Sequence, residues 1–248
     1  MTRRLRLSVF FVAAAGVAAL LVWGTAGLPD FGNYRGEYGR LVSRVAPKER
    51  QATNTVTATV FDYRGFDTMG EEFILVAAVT GVALLLREPR EEERPRPLDP
   101  IRSDALRAAG ISLAAAVLVL GLWVVAHGQV TPGGGFQGGV VLSAAFLLLW
   151  LAGTFRSYKQ LTAVPVAELA EGTGAAGYVT VGLVALLLGM PFLHNLLPLG
   201  VAGKLSSAGS IPLLNWATAL EVTAAFVLLF GEFLDERALV LAAATARR

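Results

Sequence analysis

Long apolar runs constrain this chain more than any other feature of its sequence. A helix needs about 20 predominantly apolar residues to cross the ~30 Å hydrocarbon core of a bilayer. The second run is short and reaches that length only if the polar residues 68–72 join its start. Because a membrane leaves few ways to satisfy the backbone, the sequence predicts an all-α integral membrane protein with about six transmembrane helices. The runs cover approximately residues 7–27, 73–86, 108–126, 136–155, 174–193 and 211–233.

The first run follows three arginines, Arg3, Arg4 and Arg6, which is also how a secretory signal peptide begins. Two features favour an uncleaved anchor. The run is longer than the apolar core of a signal peptide, and no clear small-residue cleavage site follows Trp23. We therefore expect the first run to stay in the membrane.

Basic residues set the expected orientation, because short cytoplasmic loops are enriched in Lys and Arg. With a cytoplasmic N-terminus, the inside segments hold 14 of the 21 basic residues and the outside segments hold 7. We therefore expect both termini to be cytoplasmic. The inside segments are 1–6, 87–107, 156–172 and 234–248.

The composition argues against several classes of function. A net charge of +2 gives no reason to expect a nucleic-acid partner, and the absence of cysteine excludes disulfides and thiolate chemistry. Two histidines are too few for a histidine-rich metal site. The sequence contains no phosphate loop, dinucleotide fingerprint, nucleophile elbow or HExxH motif. We expect no metal site, no resident cofactor and no autonomous enzyme.

A mixed-charge, proline-rich stretch divides the chain. Its most charged part, Arg87–Pro97, has the composition of a solvated loop. We expect residues 1–86 to form a module of two membrane helices with an external loop, and residues 87–106 to form a charged cytoplasmic linker. Residues 107–248 would then form a second module with four membrane helices.

A glycine-dense stretch, His127–Gly139, lies between the third and fourth apolar runs. Pro132 and the glycines after it cannot continue a helix, so we expect a sharp turn or a close backbone approach. Histidine side chains in general can change charge near neutral pH, which makes His127 a candidate site, but the helix dipole also stabilises a histidine at a helix C-terminus without any function. The glycines are Gly133, Gly134, Gly135, Gly138 and Gly139.

Two neighbouring acids lie at the start of the second helix. Asp67 or Thr68 can cap this helix, and Glu71 can complete a capping box with Thr68. However, only residues 73–86 separate Glu72 from Arg87, about 21 Å at 1.5 Å per residue. One of the two acids is therefore expected inside the hydrocarbon core, where an acid is a candidate proton or cation site. For Glu71, capping and ion binding are equally open.

Glu221 is expected near the middle of the sixth helix. An isolated carboxylate there costs roughly 2.5–3.5 kcal/mol on insertion scales, so it must be protonated, paired or hydrated. Asn215 and Thr218 lie at helical spacing and are candidate hydrogen-bond partners. We favour proton or cation binding over a purely structural acid that pins two helices together.

Two motifs resemble known families of membrane subunits. His127–Gly139, with its four flanking helices, resembles the B-type (MnhB) component of the Mrp (Mnh) multisubunit cation/proton antiporters. Asn54–Val60, a possible strand or interfacial helix, and Asp62–Glu71, which includes Arg64, resemble the MbhE-like two-helix module of membrane-bound hydrogenases. That module also forms the C-terminal end of the large antiporter subunit.

The resemblance implies a small, multi-pass subunit of a large complex in the cell (inner) membrane, surrounded by lipid and other membrane subunits. It implicates Glu71 in ion transport and gives importance to Pro132 and Phe136. Gln129 stands where a second histidine is often found, which removes a histidine pair. The transported ions would be H⁺ and Na⁺ or another monovalent cation.

Three functions remain open at this point. The chain is a subunit of a Na⁺(cation)/H⁺ antiporter, or the equivalent subunit of a hydrogenase-type complex that pumps ions with redox energy. In the third alternative it is a structural adaptor without an ion path. For ion or proton translocation the candidate residues are Glu71, Glu221, Asp67, Glu72 and His127.

Overall fold

The structure is a computed structural model that describes residues 3–28, 36–86, 103–152, 158, 160 and 162–246. Within these residues all regular secondary structure is helical. A π-helical turn, Thr59–Tyr63, connects α3 to α4 with one residue between. The helices are α1 Arg3–Ala26, α2 Glu37–Glu49, α3 Thr55–Ala58, α4 Gly65–Leu86, α5 Asp104–Ala126, α6 Gly135–Ala152, α7 Val164–Leu187 and α8 Ile211–Ala246.

Six of the described helices, α1 and α4 to α8, are long and apolar enough to cross a membrane. This confirms the predicted all-α membrane fold and the predicted number of spans. The short second run does recruit its polar start, because α4 extends over 22 residues from Gly65 to Leu86. By the length and composition of these helices, the chain is a multi-pass membrane protein.

Both predicted boundaries of the fifth membrane helix are wrong. The fifth membrane helix, α7, begins at Val164 rather than near residue 174, and it ends at Leu187. Pro165 suits this earlier start, since a proline in the first helical turn removes no intrahelical hydrogen bond. The sixth membrane helix, α8, has an apolar span of Ile211–Leu234, which confirms the predicted span, and the helix itself continues to Ala246.

The predicted capping box at the start of α4 is also wrong. The helix already begins at Gly65, so Thr68 lies inside its first turns and its hydroxyl donates to the Val60 carbonyl at 2.6 Å. The chain enters α4 through the π-helical turn, in which the Arg64 amide donates to the Thr59 carbonyl at 2.8 Å. Residues 55–61 are therefore helical, and the alternative of a short strand is excluded.

The described chain divides into two compact units, with the boundary between Leu41 and Val42. The first unit contains α1. In the second unit α8 is central: α4, α6 and α7 pack against it, and α5 packs mainly against α6. Residues 87–102 of the predicted linker lie outside the described residues, and the predicted module boundaries stay a prediction.

Glycines allow the helices of the second unit to approach closely. A Cβ atom at Gly139 of α6 would lie 2.7 Å from the Val222 Cβ of α8. A Cβ atom at Gly174 of α7 would lie 2.6 Å from the Glu221 amide nitrogen of the same helix α8. Small residues at such contacts are a common way to pack membrane helices.

Candidate functional site

The two sequence motifs meet at one end of the helix bundle. The Asn54 carboxamide oxygen caps α3 by accepting from the Val56 and Thr57 amides. Its nitrogen donates across to the carbonyls of Gly128 at 2.7 Å and Thr131 at 3.0 Å. The Thr57 hydroxyl donates to the same Gly128 carbonyl at 2.7 Å. We call residues 51–64, 127–134 and 188–210 the polar cap.

The glycines of the second motif turn the chain from α5 into α6. Gly133 and Gly134 have φ angles of 149° and 136°, which side chains other than glycine rarely adopt. Gly135 then begins α6, and its amide donates to the Asn215 carboxamide oxygen of α8 at 2.8 Å. Pro132 is exposed at the tip of the turn.

A pocket of about 160 Å³ lies between the two motifs. Glu71 is exposed and lines this pocket, together with the half-buried ring of Phe136. Polar side chains of Thr57, Thr68 and Gln137 also line it. Glu71 and Phe136, the residues to which the family resemblance gave importance, therefore line the same pocket.

The other charged residues of the first motif make ion pairs in the polar cap. An Asp62 oxygen lies 2.6 Å from Arg50 Nε, and its second oxygen accepts from Asn195 Nδ2 at 2.9 Å. Arg64 and Asp67 form a more exposed pair, with Arg64 Nε 2.6 Å from Asp67 Oδ2. Arg64 and Asp67 therefore make a surface contact, whereas the Asp62 side chain is 7% exposed and is held by Arg50 and Asn195.

Tyr63 extends this surface network. Its hydroxyl donates to Glu49 Oε2 at 3.2 Å, and the Arg50 guanidinium lies 5.4 Å from its ring centroid. Burial and the hydrogen bond to Glu49 raise the pKa of Tyr63 above its ordinary value. The residue is therefore a neutral hydrogen-bond donor at physiological pH.

The polar residues at positions 127 and 129 make local contacts. The His127 ring stacks on Trp123, with the ring centroids 3.6 Å apart, and its Nδ1 atom lies 3.1 Å from the Trp123 carbonyl oxygen. Gln129 is fully buried, and its Nε2 atom donates to the Leu205 carbonyl at 2.7 Å. These contacts fix the end of α5 and the turn that follows it.

Two carboxyl groups meet inside the bundle. Glu72 of α4 and Glu221 of α8 are 1% and 0% exposed, and their side chains are direct neighbours. The Thr218 hydroxyl lies beside Glu72. All four carboxyl oxygens of the two acids are buried, and none makes a hydrogen bond of normal geometry with another described residue. We call Glu72 and Glu221 the carboxyl pair.

The helices fix the depth of the carboxyl pair. Glu72 lies seven residues after the start of α4, which corresponds to about 10 Å along the helix axis. Glu221 lies ten residues after the start of α8, or about 15 Å. Because Gly174 has no side chain, the α7 backbone presses directly on Glu221. Both acids are therefore held well inside the apolar spans.

The structure separates the two neighbouring acids, Glu71 and Glu72. One acid does lie inside the bundle, as expected from helix length, but it is Glu72, while Glu71 points to the pocket. Successive helical residues differ by about 100° around the axis, so neighbours face different surroundings. Length alone does not decide which of the two faces the core.

The predicted hydrogen bonds from Asn215 and Thr218 to Glu221 are not formed. Asn215 instead accepts from the Gly135 amide and thereby anchors the glycine turn. The Thr218 hydroxyl is fully buried and makes no hydrogen bond of normal geometry with a described residue. This hydroxyl lies beside the carboxyl group of Glu72.

A third buried acid, Glu171, escaped the sequence analysis. It lies on α7 and is 8% exposed, with its Oε1 atom buried and without a hydrogen-bond partner among the described residues. Residues 156–172 were expected to form a cytoplasmic segment, where an acid is an ordinary surface residue. Pro165 was the available signal, because a proline in a first turn marks a helix start.

The carboxyl pair constrains the chemistry that this interior can perform. Two adjacent carboxyl groups in a low-dielectric interior cannot both carry a negative charge without a proton or a cation between them. The group is therefore suited to hold and release a proton or a monovalent cation. Among the described residues no three acids or histidines are grouped as a metal site would require.

A family comparison identifies the larger part of the bundle. Residues 105–228 match the model of a family described as a domain related to the MnhB subunit of Na⁺/H⁺ antiporter. The chain belongs to this family. The match runs from α5 into α8 and confirms the predicted resemblance to the MnhB component of the antiporters. It includes Glu171 and Glu221 but not Glu72.

Two relatives extend the comparison beyond the MnhB-related domain. An uncharacterized protein of Methanocaldococcus jannaschii is 32% identical over 202 residues, which cover 71% of this chain and 76% of that protein. A probable K⁺/H⁺ antiporter A/B subunit of Rhizobium meliloti is 30% identical over 194 residues. The second alignment covers 67% of this chain but 19% of the Rhizobium protein, so this chain corresponds to a part of it.

Two solved structures have the same fold. A chain of the membrane-bound sulfane sulfur reductase, an archaeal respiratory membrane complex, is 30% identical with a TM-score of 0.68. The match covers 93% of this chain and 98% of that one. A chain of the Mrp complex from Dietzia sp. matches at 21% identity and a TM-score of 0.66, over 94% of this chain and 26% of that one. Both are chains of membrane complexes.

Proposed function

We propose that this chain is a membrane subunit of a multisubunit Na⁺(cation)/H⁺ antiporter and contributes to ion translocation and to assembly of the complex. Membership of the MnhB-related family supports this proposal. The exchanged ions are H⁺ and Na⁺ or another monovalent cation. The chain is not itself an enzyme and holds no resident cofactor. It lies in the cell membrane with both termini in the cytoplasm, and residues 1–86 supply the MbhE-like module.

The carboxyl pair is the observation that carries the proposal of an ion path. Burying an acid without hydrogen bonds is costly, and a purely structural acid normally has a partner. Glu72 and Glu221 have four buried oxygens without a normal hydrogen bond among the described residues. Acids in membrane helices commonly mark ion or proton paths. The pair is therefore the proposed site of ion binding.

One specific observation favours a second candidate function. The chain matches almost the full length of a chain from a respiratory membrane complex, whereas it matches a quarter of the Mrp chain. The same subunit would then serve a redox-driven complex, with the energy supplied by electron transfer in other subunits. The carboxyl pair would have the same role in both complexes.

Purification separates the two complexes. A tagged chain is purified in mild detergent from its native membrane, and the accompanying proteins are identified by mass spectrometry. Other membrane subunits without redox proteins are expected for the antiporter. Soluble iron–sulfur subunits would assign the chain to the redox-driven complex, and recovery of the chain alone would contradict both.

A substitution tests the ion path in the purified complex. Glu221→Gln keeps the shape of the side chain but removes its titratable proton. In proteoliposomes, we expect exchange of cations for protons to fall about a hundredfold, a typical contribution of one proton-transfer group. Glu37→Gln is the control, since Glu37 is an exposed acid of α2. Normal exchange by an assembled Glu221→Gln complex would support the structural adaptor.

A further inference from the structure

Glu171 shares the buried face of α7 with the residues that contact the carboxyl pair. Glu171, Gly174 and Tyr178 are spaced three and seven residues apart, so they lie on one side of the helix. Gly174 contacts the backbone of Glu221, and the Tyr178 hydroxyl donates to the Gly65 carbonyl at 2.9 Å. The face that carries Glu171 is therefore the one packed against α4 and α8.

The position of Gly174 gives the displacement of Glu171 from the level of Glu221 along the axis of α7. Glu171 precedes Gly174 by three residues, about 4.5 Å along α7. Because α7 and α4 run in opposite directions, this displacement is away from the polar cap. The distance from the polar cap along the bundle therefore increases from Glu72 to Glu221 and from Glu221 to Glu171.

Glu171 also connects the interior with the surface. Its carboxyl group interacts electrostatically with Glu221 inside the bundle and with Glu168 one turn earlier on α7. Glu168 is exposed, whereas Glu171 is 8% exposed and Glu221 is 0% exposed. The exposure of the acids thus decreases stepwise from the start of α7 to the carboxyl pair.

We infer that Glu171 is a proton-binding site that links the carboxyl pair to the membrane face where α7 begins. This inference rests on the proposed function, because it extends the same ion path. The observation at Glu171 itself supports this site: it is 8% exposed, and its buried Oε1 atom has no hydrogen-bond partner among the described residues.

The transfer moves one proton at a time through the three acids, and the proton released to water is replaced by the next one that enters. Protonated Glu221 loses its proton and becomes a carboxylate, while the Glu171 carboxylate gains that proton and becomes neutral. Glu171 then loses the proton to water near Glu168, and Glu221 regains one from Glu72. The pocket beside Glu71 lies at the other end of this sequence and admits the next proton. No bond other than O–H is broken or formed.

Two substitutions separate this proton site from a structural acid. Glu171→Gln keeps the size of the side chain and removes its proton, whereas Glu171→Asp keeps the proton and shortens the side chain. The intact complex is reconstituted in proteoliposomes, and exchange is measured per assembled complex across a range of pH. Glu168→Gln, one turn away and exposed, is the matched control.

A proton site predicts that Glu171→Gln loses at least about tenfold of the exchange rate, while Glu171→Asp retains more activity with a shifted pH profile. The titratable groups near Glu171 that would influence this pH profile are Glu168 on α7, Glu221 on α8 and Glu72 on α4. A structural acid predicts the reverse order, since Asp disturbs packing more than Gln. It also predicts an unchanged pH profile.

The remaining outcomes distinguish this inference from the proposed function. Loss of exchange in Glu221→Gln with normal exchange in Glu171→Gln would overturn the role of Glu171 and leave the carboxyl pair intact. Normal exchange in both variants would overturn the ion path itself. If Glu171→Gln fails to assemble, Glu171→Asp decides alone: an unshifted pH profile would overturn the proton site.

Discussion

The polar cap and the carboxyl pair below it differ in their hydrogen bonding, although Gln129 Oε1 and Ser207 Oγ of the cap also lack a partner among the described residues. In the cap, Asn54, Thr57, Asp62 and Asn195 each make at least two hydrogen bonds or ion pairs. In the interior, the carboxyl pair makes none of normal geometry among the described residues. Polar groups that already have hydrogen-bond partners stabilise the fold, whereas polar groups without such partners are available to bind an ion. Substitutions in the two regions should therefore affect different measurements.

The largest effect is expected within the adjacent pair Glu71 and Glu72. Glu72→Gln removes one member of the carboxyl pair, so we expect about a hundredfold loss of exchange in proteoliposomes at normal assembly. Glu71→Gln changes an exposed residue of the pocket and should reduce exchange less. An equal or larger loss in Glu71→Gln would move the ion site from the interior to the pocket.

Asn54→Ala should affect stability rather than transport. It removes the cap of α3, worth about 1 kcal/mol, and leaves the Gly128 and Thr131 carbonyls without this donor, about 1–3 kcal/mol more. The measurement is thermal unfolding of the purified complex. Asn54→Asp has the same shape but turns an anion toward those carbonyls, so it should destabilise at least as much. A stable Asn54→Asp complex would contradict the donor role.

Gly174→Ala tests the contact that presses α7 onto Glu221. The new Cβ would meet the Ala217 carbonyl oxygen and the Glu221 amide nitrogen at 2.6 Å, so the helices must separate. Overpacking of this kind typically costs about 1–3 kcal/mol. Gly177→Ala is the control on the same helix, because its nearest contact is an ordinary 3.6 Å to the Ala217 Cβ. Equal thermal stability of the two variants would contradict this packing.

The smallest effect is expected for Arg64→Ala and Asp67→Asn. Their side chains are 63% and 52% exposed, and a surface ion pair contributes about 0–1 kcal/mol. Thermal unfolding of both variants should match that of the unchanged complex. A loss of exchange in stable Asp67→Asn would restore the predicted transport role of Asp67.

The fold was largely predictable because apolar run length dominates in a membrane. The number of spans and the start of α8 follow from it directly. The start of α7 was missed because Val164–Glu171 mixes apolar residues with two acids, and hydropathy alone treats such a segment as a loop.

The candidate site was predictable only in part. Glu221 attracted notice because it interrupts a long apolar run, which is a property of the sequence alone. The partner of Glu221 was not predictable, because the facing of Glu71 and Glu72 depends on how the π-helical turn leads into α4. Likewise, Asn215 was assigned to the wrong partner since the glycine turn that it anchors is 80 residues away in the chain.

The depth of Glu221 has an electrical consequence. A residue about 15 Å along a helix that spans a ~30 Å core lies near the middle of the membrane. A charge that crosses the full membrane gains about 2.3 kcal/mol per 100 mV, so a proton reaching Glu221 gains about half of this. On the proposed ion path, the ratio of protonated to ionised carboxyl groups in the pair then changes about sevenfold per 100 mV. The pair therefore responds to membrane voltage as well as to the proton concentration.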